Sequence, residues 1–296
     1  MKWYYVLCVG VLLMLSGCQS TQVPIAESTE ATGAGHMFSE ANWQTVQVIY
    51  TPSDWPQALT AEVIHPAPQV EGLPIMLLVH GGGWQRRSFE DMQSLANYWA
   101  KRGFITVNIA YRFAPEYQFP AQLHDVQQAM HWIDSRRTAW NAEHSSITAF
   151  GFSSGAHLVS LMASVANQPT PLDSPYGGPL TRPDRVIAGG IPSDLQKWQS
   201  GRLIEDFLGG TQSELADVYR IASPIEHVHQ NTPPTFLFHG RLDRLVPRDH
   251  ASDYYQALKD HQVDAELHWL SLRGHMTSFI FKGSALRAAE TFMAKH

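Results

Sequence analysis

Short apolar runs alternate with segments of helical periodicity from residue 43 to the end of the chain. The apolar runs predict strands at 43–50, 59–65, 74–80, 104–110, 147–152, 185–191, 235–240 and 265–270. Apolar residues at helical spacing predict helices at 90–102, 120–137, 154–167, 249–261 and 284–295. Strands that alternate with helices build βαβ units and a mostly parallel sheet, here of about eight strands, with the first two as an antiparallel hairpin. Ligands of such α/β sheets bind beyond the carboxyl ends of the strands.

The first residues of the chain depart from this alternation. Lys2 precedes an apolar run at 3–15, and the run leads into Leu-Ser-Gly-Cys at 15–18, which resembles a bacterial lipobox. We therefore expect residues 1–17 to be a lipoprotein signal peptide and Cys18 to carry lipid. An ordinary signal peptide or a short membrane anchor is the alternative.

Residues 18–41 are rich in Ser, Thr, Gly and Ala without an apolar period, which predicts a flexible tether. No second linker or repeat follows, so residues 42–296 are expected to form one domain. Gln19, rather than Asp, follows Cys18. Since Asp at that position tends to retain lipoproteins at the inner membrane, we expect a lipid anchor in the outer membrane, with the domain facing the periplasm.

The composition and net charge exclude several classes of binding partner. Hydrophobic residues make up 44% and charged residues 16% of the 296 residues, which is enough apolar material for a large core. The net charge is −6 and no stretch is basic enough for a nucleic-acid partner. The two cysteines, Cys8 and Cys18, precede the domain, so neither a disulfide nor a cysteine metal site is expected. His227 and His229 lack a third ligand at a suitable spacing, and no metal is predicted. Nothing in the sequence indicates the oligomeric state.

A Gly-x-Ser-x-Gly motif, Gly151 to Gly155, lies between an apolar strand and a helix. This is the context of a nucleophile elbow, a sharp turn that projects the serine hydroxyl above the sheet. The glycines fit because strand and helix nearly touch there. The motif predicts a catalytic Ser153. A glycine-rich helix start, in which Ser153 or Ser154 only caps the helix, is the alternative.

A serine nucleophile needs a base, and the base needs an orienting acid, which on this type of sheet follow in the order Ser, Asp, His. Asp243 comes just after the strand at 235–240, and His275 follows the strand at 265–270. Because all three residues follow strands, we expect them to meet at one edge of the sheet. They are predicted to form the catalytic triad.

Other acids and histidines compete for these roles but fit less well. Asp194 follows a strand that comes too early for the acid, and two further aspartates fall within a predicted helix, Asp249 and Asp253. His268 lies inside a strand and His261 ends a helix. His80 and His239 precede glycines at strand ends and are expected to bind local backbone groups instead.

The motifs together resemble the α/β-hydrolase superfamily. They are HGGGW at 80–84, the segment that begins YRFAPEYQFP at 111, GFSSGAHL at 151–158, and HGRLDRLVP followed by GH. They are most similar to bacterial esterases of the hormone-sensitive-lipase-like and feruloyl-esterase-like (BD-FAE-like) groups. The resemblance implies the α/β-hydrolase fold, a cofactor-free serine esterase that forms an acyl-enzyme, and a small-molecule ester substrate. It also implies an oxyanion hole made by the amides of Gly82, Gly83 and Ser154.

Departures from these groups leave the substrate open. The elbow reads GFSSG where the lipase-like branch often has GDSAG. Trp84 ends the glycine motif in place of the usual Phe, as the tryptophan does in the HGGxW motif of arylformamidases. An amidase such as an arylformamidase, or a non-catalytic envelope lipoprotein, therefore remain alternatives. Short acyl chains are expected because nothing indicates a long apolar tunnel.

Residues 192–225 form the only substantial insertion between predicted strands. One interpretation is a small cap in which Trp198, Phe207 and Leu208 line the pocket. The other is ordinary core packing of a helical excursion.

Overall fold

One eight-stranded sheet forms the centre of the computed structural model, which describes residues 42–296. Its strand order is β1-β2-β4-β3-β5-β6-β7-β8. The strands are β1 (Asn42–Ile49), β2 (Thr60–Ala67), β3 (Ile75–Val79), β4 (Ile105–Ile109), β5 (Ile147–Phe152), β6 (Arg185–Gly189), β7 (Thr235–Gly240) and β8 (Ala265–Leu270). The predicted α/β-hydrolase architecture is confirmed. The predicted signal peptide (1–17), lipidated Cys18 and tether (18–41) lie outside the described residues.

Two strand pairs are antiparallel and the others are parallel. β1 pairs with β2 in the predicted hairpin, from Asn42 opposite Ala67 to Ile49 opposite Thr60. β2 pairs antiparallel with β4, and every pair from β4 through β8 is parallel. β1 is an edge strand with mostly exposed side chains, which agrees with its alternating, polar sequence.

Eight α-helices flank this sheet in the described part of the chain. They are α1 (Gln93–Ala100), α2 (Ala121–Arg136), α3 (Ser154–Val165), α4 (Arg202–Leu208), α5 (Ala216–Ile221), α6 (Arg248–Asp260), α7 (His275–Ile280) and α8 (Gly283–Met293). The five predicted helices correspond to α1, α2, α3, α6 and α8. Within residues 42–296, no helix is both long and apolar enough to cross a bilayer.

The central strands are buried on both faces, as continuous apolar runs predict. In β3, Leu77 and Val79 face a core shared with α2, α3 and α6, whereas Met76 and Leu78 face a core shared with α1 and α8. Helices therefore cover both faces of the central strands, whose ends remain open for a site.

The strand order places a crevice beside β3. The chain passes from β3 to its neighbour β4 and then crosses back to β5 on the other side of β3. At such a reversal the loops that leave adjacent strands separate, and ligands bind between them. The loop that starts at His80 and the turn at Ser153 are the two loops at this point.

Candidate active site

Ser153 lies on a strained turn between β5 and α3. Its φ and ψ are 55° and −122°, and positive φ is unfavourable for a residue with a β-carbon. A β-carbon at Gly151 would lie 2.3 Å from backbone atoms of Gly155, and one at Gly155 would lie 2.1 Å from the carbonyl oxygen of Val79. The two flanking glycines are therefore required by close backbone approach, as the motif predicts.

The structure brings the three predicted catalytic residues together in one hydrogen-bonded chain. Ser153 Oγ donates to His275 Nε2 at 2.9 Å, and His275 Nδ1 donates to Asp243 Oδ2 at 2.7 Å. His275 follows Gly274 as the first residue of the short helix α7, where the sequence suggested only a loop. This arrangement orients the imidazole to accept the serine proton.

Backbone amides hold the Asp243 carboxylate. Its Oδ1 accepts hydrogen bonds from the N–H groups of Leu245 at 3.0 Å and Val246 at 2.9 Å, which leaves Oδ2 for His275. Burial opposes ionisation, but the His275 and backbone hydrogen bonds outweigh it and hold the pKa of Asp243 below its ordinary value. The carboxylate is therefore charged and fixed in orientation at neutral pH.

The competing acids and histidines have other partners. Asp194 accepts a hydrogen bond from the Gln196 amide at the start of a 3₁₀ turn. Lys197 forms ion pairs with Asp249 and Asp253, which both lie on α6.

The histidines that competed for the role of base bind elsewhere as well. His261 bonds to the Ala257 carbonyl and His268 contacts the Ser284 hydroxyl. His80 and His239 donate to the backbone carbonyls of Gly81 and Val246, the local role expected for them.

Each glycine of the HGGGW loop is needed for a different steric reason. A β-carbon at Gly81 would lie 2.9 Å from the Phe152 carbonyl oxygen, beside the elbow. Gly82 has φ of 131°, and its β-carbon would lie 2.0 Å from a carbonyl oxygen. Gly83 has φ of 63°. The loop can thus lie against the elbow only with bare backbone.

The residues predicted for the oxyanion hole line the pocket. Gly82, Gly83 and Ser154 all line the cavity that contains Ser153. Within residues 42–296, the Gly82 and Gly83 N–H groups donate to no other group. Ser154 is the first residue of α3, whose N-terminal amides have no acceptor within the helix. The three amides are available to a ligand oxygen.

A buried histidine that the sequence interpretation missed supports this loop. Trp84, 4% exposed, donates from Nε1 to His157 Nδ1 at 3.3 Å, and His157 Nε2 donates to the Ala222 carbonyl at 2.7 Å. Trp84 also stacks on Phe207, with ring centroids 4.3 Å apart. Residue 157 lies one helical turn beyond Ser153, and that spacing was the only sequence signal for its position.

Protonation of His157 should destabilise the fold. Burial lowers its pKa to about 4, although the bond to the Ala222 carbonyl acts in the opposite direction. The unfolded imidazole titrates near 6.5. Between these values the unfolded chain binds more protons than the folded chain, so the free energy of unfolding falls as the pH falls from 6.5 to 4. A fully expressed shift of this size corresponds to about 3 kcal/mol.

The variant His157→Gln keeps a donor for the Ala222 carbonyl and cannot titrate. We expect a shallower decline of unfolding free energy between pH 7 and pH 4, measured by urea denaturation at several pH values. The surface variant His261→Gln serves as the control and should keep the parent slope. An unchanged slope in His157→Gln would show that folding does not lower the pKa of this ring.

A buried ion pair holds the segment that follows β4. Arg112 Nη2 lies 2.8 Å from Asp125 Oδ1, and Trp55 Nε1 donates to the same oxygen at 2.8 Å. Desolvation raises the pKa of Asp125 against the effect of the Arg112 bonds. Tyr111, next in sequence, donates to the His80 carbonyl at 3.1 Å and contacts the Ser154 hydroxyl. The motif YRFAPEYQFP therefore stabilises the back of the glycine loop.

A pocket of about 420 Å³ opens above Ser153. Its apolar wall includes Phe152, Pro192, Trp198, Leu203, Ile204 and Phe279. Of the three residues suggested for the cap, Trp198 lines the pocket and stacks on His250, while Phe207 and Leu208 are buried in the core. Residues 192–225 thus contribute side chains both to the pocket wall and to the core.

The BD-FAE family model matches residues 62–258, about two thirds of the chain, including Ser153 and Asp243. The chain belongs to the BD-FAE family. Its similarity to curated proteins is moderate: Esterase LipC of Mycobacterium tuberculosis is 28% identical over 63% of this chain and 48% of that protein. The probable carboxylic ester hydrolase LipM of the same organism is 28% identical over 75% of this chain and 52% of that protein. The chain spans about half the length of these curated relatives.

Solved structures show the same fold for this BD-FAE member. A truncated carbohydrate esterase from gut microbiota superposes with a TM-score of 0.72 and 22% identity, over 86% of this chain and 97% of that one. The apo form of Thermogutta terrifontis esterase 2 gives a TM-score of 0.73 and 20% identity, over 85% of this chain and 94% of that one. At these identities the likeness concerns the fold.

Proposed function

We propose that this protein is a serine hydrolase that cleaves carboxylic esters through an acyl-enzyme. The observation that carries the proposal is the hydrogen-bonded chain Ser153–His275–Asp243 at the carboxyl edge of the sheet. Membership of the BD-FAE family and the esterase names of its relatives support the same reaction class.

In this mechanism Ser153 Oγ attacks the ester carbonyl carbon while its proton passes to His275 Nε2. Asp243 stabilises the resulting imidazolium and keeps Nε2 directed at the serine. Collapse of the tetrahedral intermediate releases the alcohol, which takes the proton from His275. Water then attacks the acyl-enzyme through the same base and regenerates Ser153.

The negative charge on the carbonyl oxygen would be held by the amides of Gly82, Gly83 and Ser154. Preorganised donors of this kind contribute about 2.7–4 kcal/mol each to transition-state stabilisation. The N-terminus of α3, which begins at Ser154, adds a smaller favourable field. The glycine loop would therefore supply binding for the transition state rather than for the substrate alone.

The pocket favours a short acyl group. Its volume of about 420 Å³ must hold both sides of the ester, and large aromatic side chains, Trp198 and Phe279, form part of its wall. Structures of Thermogutta terrifontis esterase 2 with bound propionate and butyrate suggest small acyl groups as the first choice for this chain as well.

An ester panel tests this substrate range. We expect p-nitrophenyl acetate, propionate and butyrate to give the highest kcat/KM, with a decline of at least about tenfold at palmitate, because the longer chain extends into solvent. Parallel assays with N-formylkynurenine separate an esterase from a formamidase. A preference for palmitate would contradict the expected range, and a preference for the formamide would contradict ester specificity.

Labelling tests the role of the nucleophile independently of the substrate. A fluorophosphonate probe should modify Ser153, as located by peptide mass spectrometry, and denatured protein provides the control. Absence of labelling in folded protein would favour the non-catalytic alternative.

A further inference from the structure

Exposed apolar side chains are concentrated at one side of the pocket mouth. Nine large hydrophobic side chains are exposed within residues 42–296, and six of them lie in the two short segments 242–245 and 272–281. Leu272 is 79% exposed. The six are Leu242, Leu245, Leu272, Met276, Ile280 and Phe281. Clusters of this kind commonly mark binding surfaces.

The two segments form one surface. The Leu242 amide donates to the Arg273 carbonyl at 2.8 Å, and the Arg273 guanidinium lies 4.6 Å from the centre of the Phe281 ring. Leu245 and Met276 also line the pocket above Ser153. We call residues 241–248 and 272–281 the entrance face, because they border the opening of the pocket.

The charge of the entrance face is opposite to that of the whole chain. It contains four arginines, and none of them forms an ion pair with another described residue: Arg241, Arg244, Arg248 and Arg273. The one acid among its residues, Asp243, is buried and bound to His275; the next acid, Asp249, pairs with Lys197. The chain as a whole carries a net charge of −6.

We propose that the entrance face docks on an anionic lipid bilayer, with the pocket mouth directed at the membrane. Apolar side chains interspersed with arginines match a lipid interface, since the former enter the acyl boundary while guanidinium groups bind phosphates. The exposed leucine, isoleucine and phenylalanine side chains are the part of this surface that a soluble polyanion would leave unused.

A second copy of the chain fits this surface less well. A symmetric dimer through the entrance face would place each arginine cluster near its counterpart, and like charges at an interface are unfavourable. Docking on lipid does not require the proposed ester hydrolysis, because it involves surface residues alone. It would, however, direct Ser153 towards esters held at the membrane surface.

Hydrogen–deuterium exchange of the full chain tests the orientation. Vesicles of phosphatidylcholine, with and without phosphatidylglycerol, are added, and exchange is measured peptide by peptide. We expect slower exchange in peptides covering 241–248 and 272–281 only when phosphatidylglycerol is present. High salt should reverse this effect because it screens exposed charges. Residues 1–41 are the same in all variants, so any membrane binding by them is common to every sample.

Substitutions can remove the apolar and cationic groups of the entrance face without straining the fold. Leu272 has φ of 57°, a conformation that asparagine tolerates better, so Leu272→Asn removes the apolar group at a compatible position. The double variant Arg244→Gln/Arg248→Gln removes two cations, one of them at the start of α6, where a cation is unfavourable. Each lost arginine is expected to weaken docking about fivefold at low salt.

Matched variants on the opposite end of the sheet serve as controls. Leu180→Asn and Arg136→Gln remove an exposed leucine and an arginine far from the pocket and should leave the exchange pattern unchanged. Ser153→Ala should dock as the parent does, which separates docking from chemistry. Melting temperatures of all variants verify folding.

Equal protection with both vesicle types, or protection that survives the Leu272 and arginine substitutions, would overturn the proposal. Protection that rises with protein concentration without vesicles would instead assign the surface to a second copy.

Discussion

Replacement of Ser153 by alanine is expected to lower kcat for p-nitrophenyl acetate by about 10⁶-fold, the loss typical of a serine triad without its nucleophile. The variant keeps the pocket and the three amides at the glycine loop, so KM should change little. Residual hydrolysis would come from binding and oxyanion stabilisation alone. Since alanine is smaller than serine and tolerates the turn no worse, the fold should persist.

Initial rates with purified protein measure this loss, and a second serine provides the control. Ser160 is buried on the same helix, so Ser160→Ala makes an equal chemical change away from the pocket. It should retain activity within about threefold, as expected for a change outside the site. Because triad residues act as a unit, the double variant Ser153→Ala/His275→Ala should be no slower than Ser153→Ala. Full activity in Ser153→Ala would exclude the proposed mechanism.

Much of the fold could be predicted because the apolar periodicity is strong. The eight strands and five longer helices agree with the pattern, since buried parallel strands such as Ile75–Val79 are continuous apolar runs. That Ser153, Asp243 and His275 meet at one edge of the sheet could also be predicted, because each follows a strand and chain order restricts the choice. Local sequence and the geometry of parallel sheets were sufficient for these features.

Features that depend on distant contacts could not be predicted from a local pattern. Trp84 and His157 are 73 positions apart, and nothing near either residue indicates the other. Phe207 and Trp198 are both aromatic residues of the segment 192–225, and the local sequence does not distinguish their roles. Phe207 stacks on Trp84, whereas Trp198 lines the pocket. An exposed Leu272 resembles a core residue on a hydropathy scale. The packing around the site, which shapes substrate choice, belongs to this second group.

Replacement of Asp243 by asparagine is expected to lower kcat by about 10⁴-fold while leaving the fold intact. The amides of Leu245 and Val246 bind Oδ1 of Asp243, so the carbonyl oxygen of asparagine should take that position. Its NH₂ group would then face His275 Nδ1, where the carboxylate now lies. A donor at that point requires Nδ1 to be an acceptor and places the imidazole proton on Nε2. The ring could then no longer accept the proton of Ser153.

Asp194→Asn is the matched control, because Asp194 is the other acid that follows a strand near the site. Asparagine caps a helical turn as well as aspartate does, so the bond from the Gln196 amide should survive. We expect kcat of Asp194→Asn within about threefold of the parent, as for substitutions outside the catalytic unit. A large loss in Asp194→Asn together with a small loss in Asp243→Asn would reassign the acid. Equal, small losses in both would mean that His275 needs no carboxylate partner, and the proton pathway would require revision.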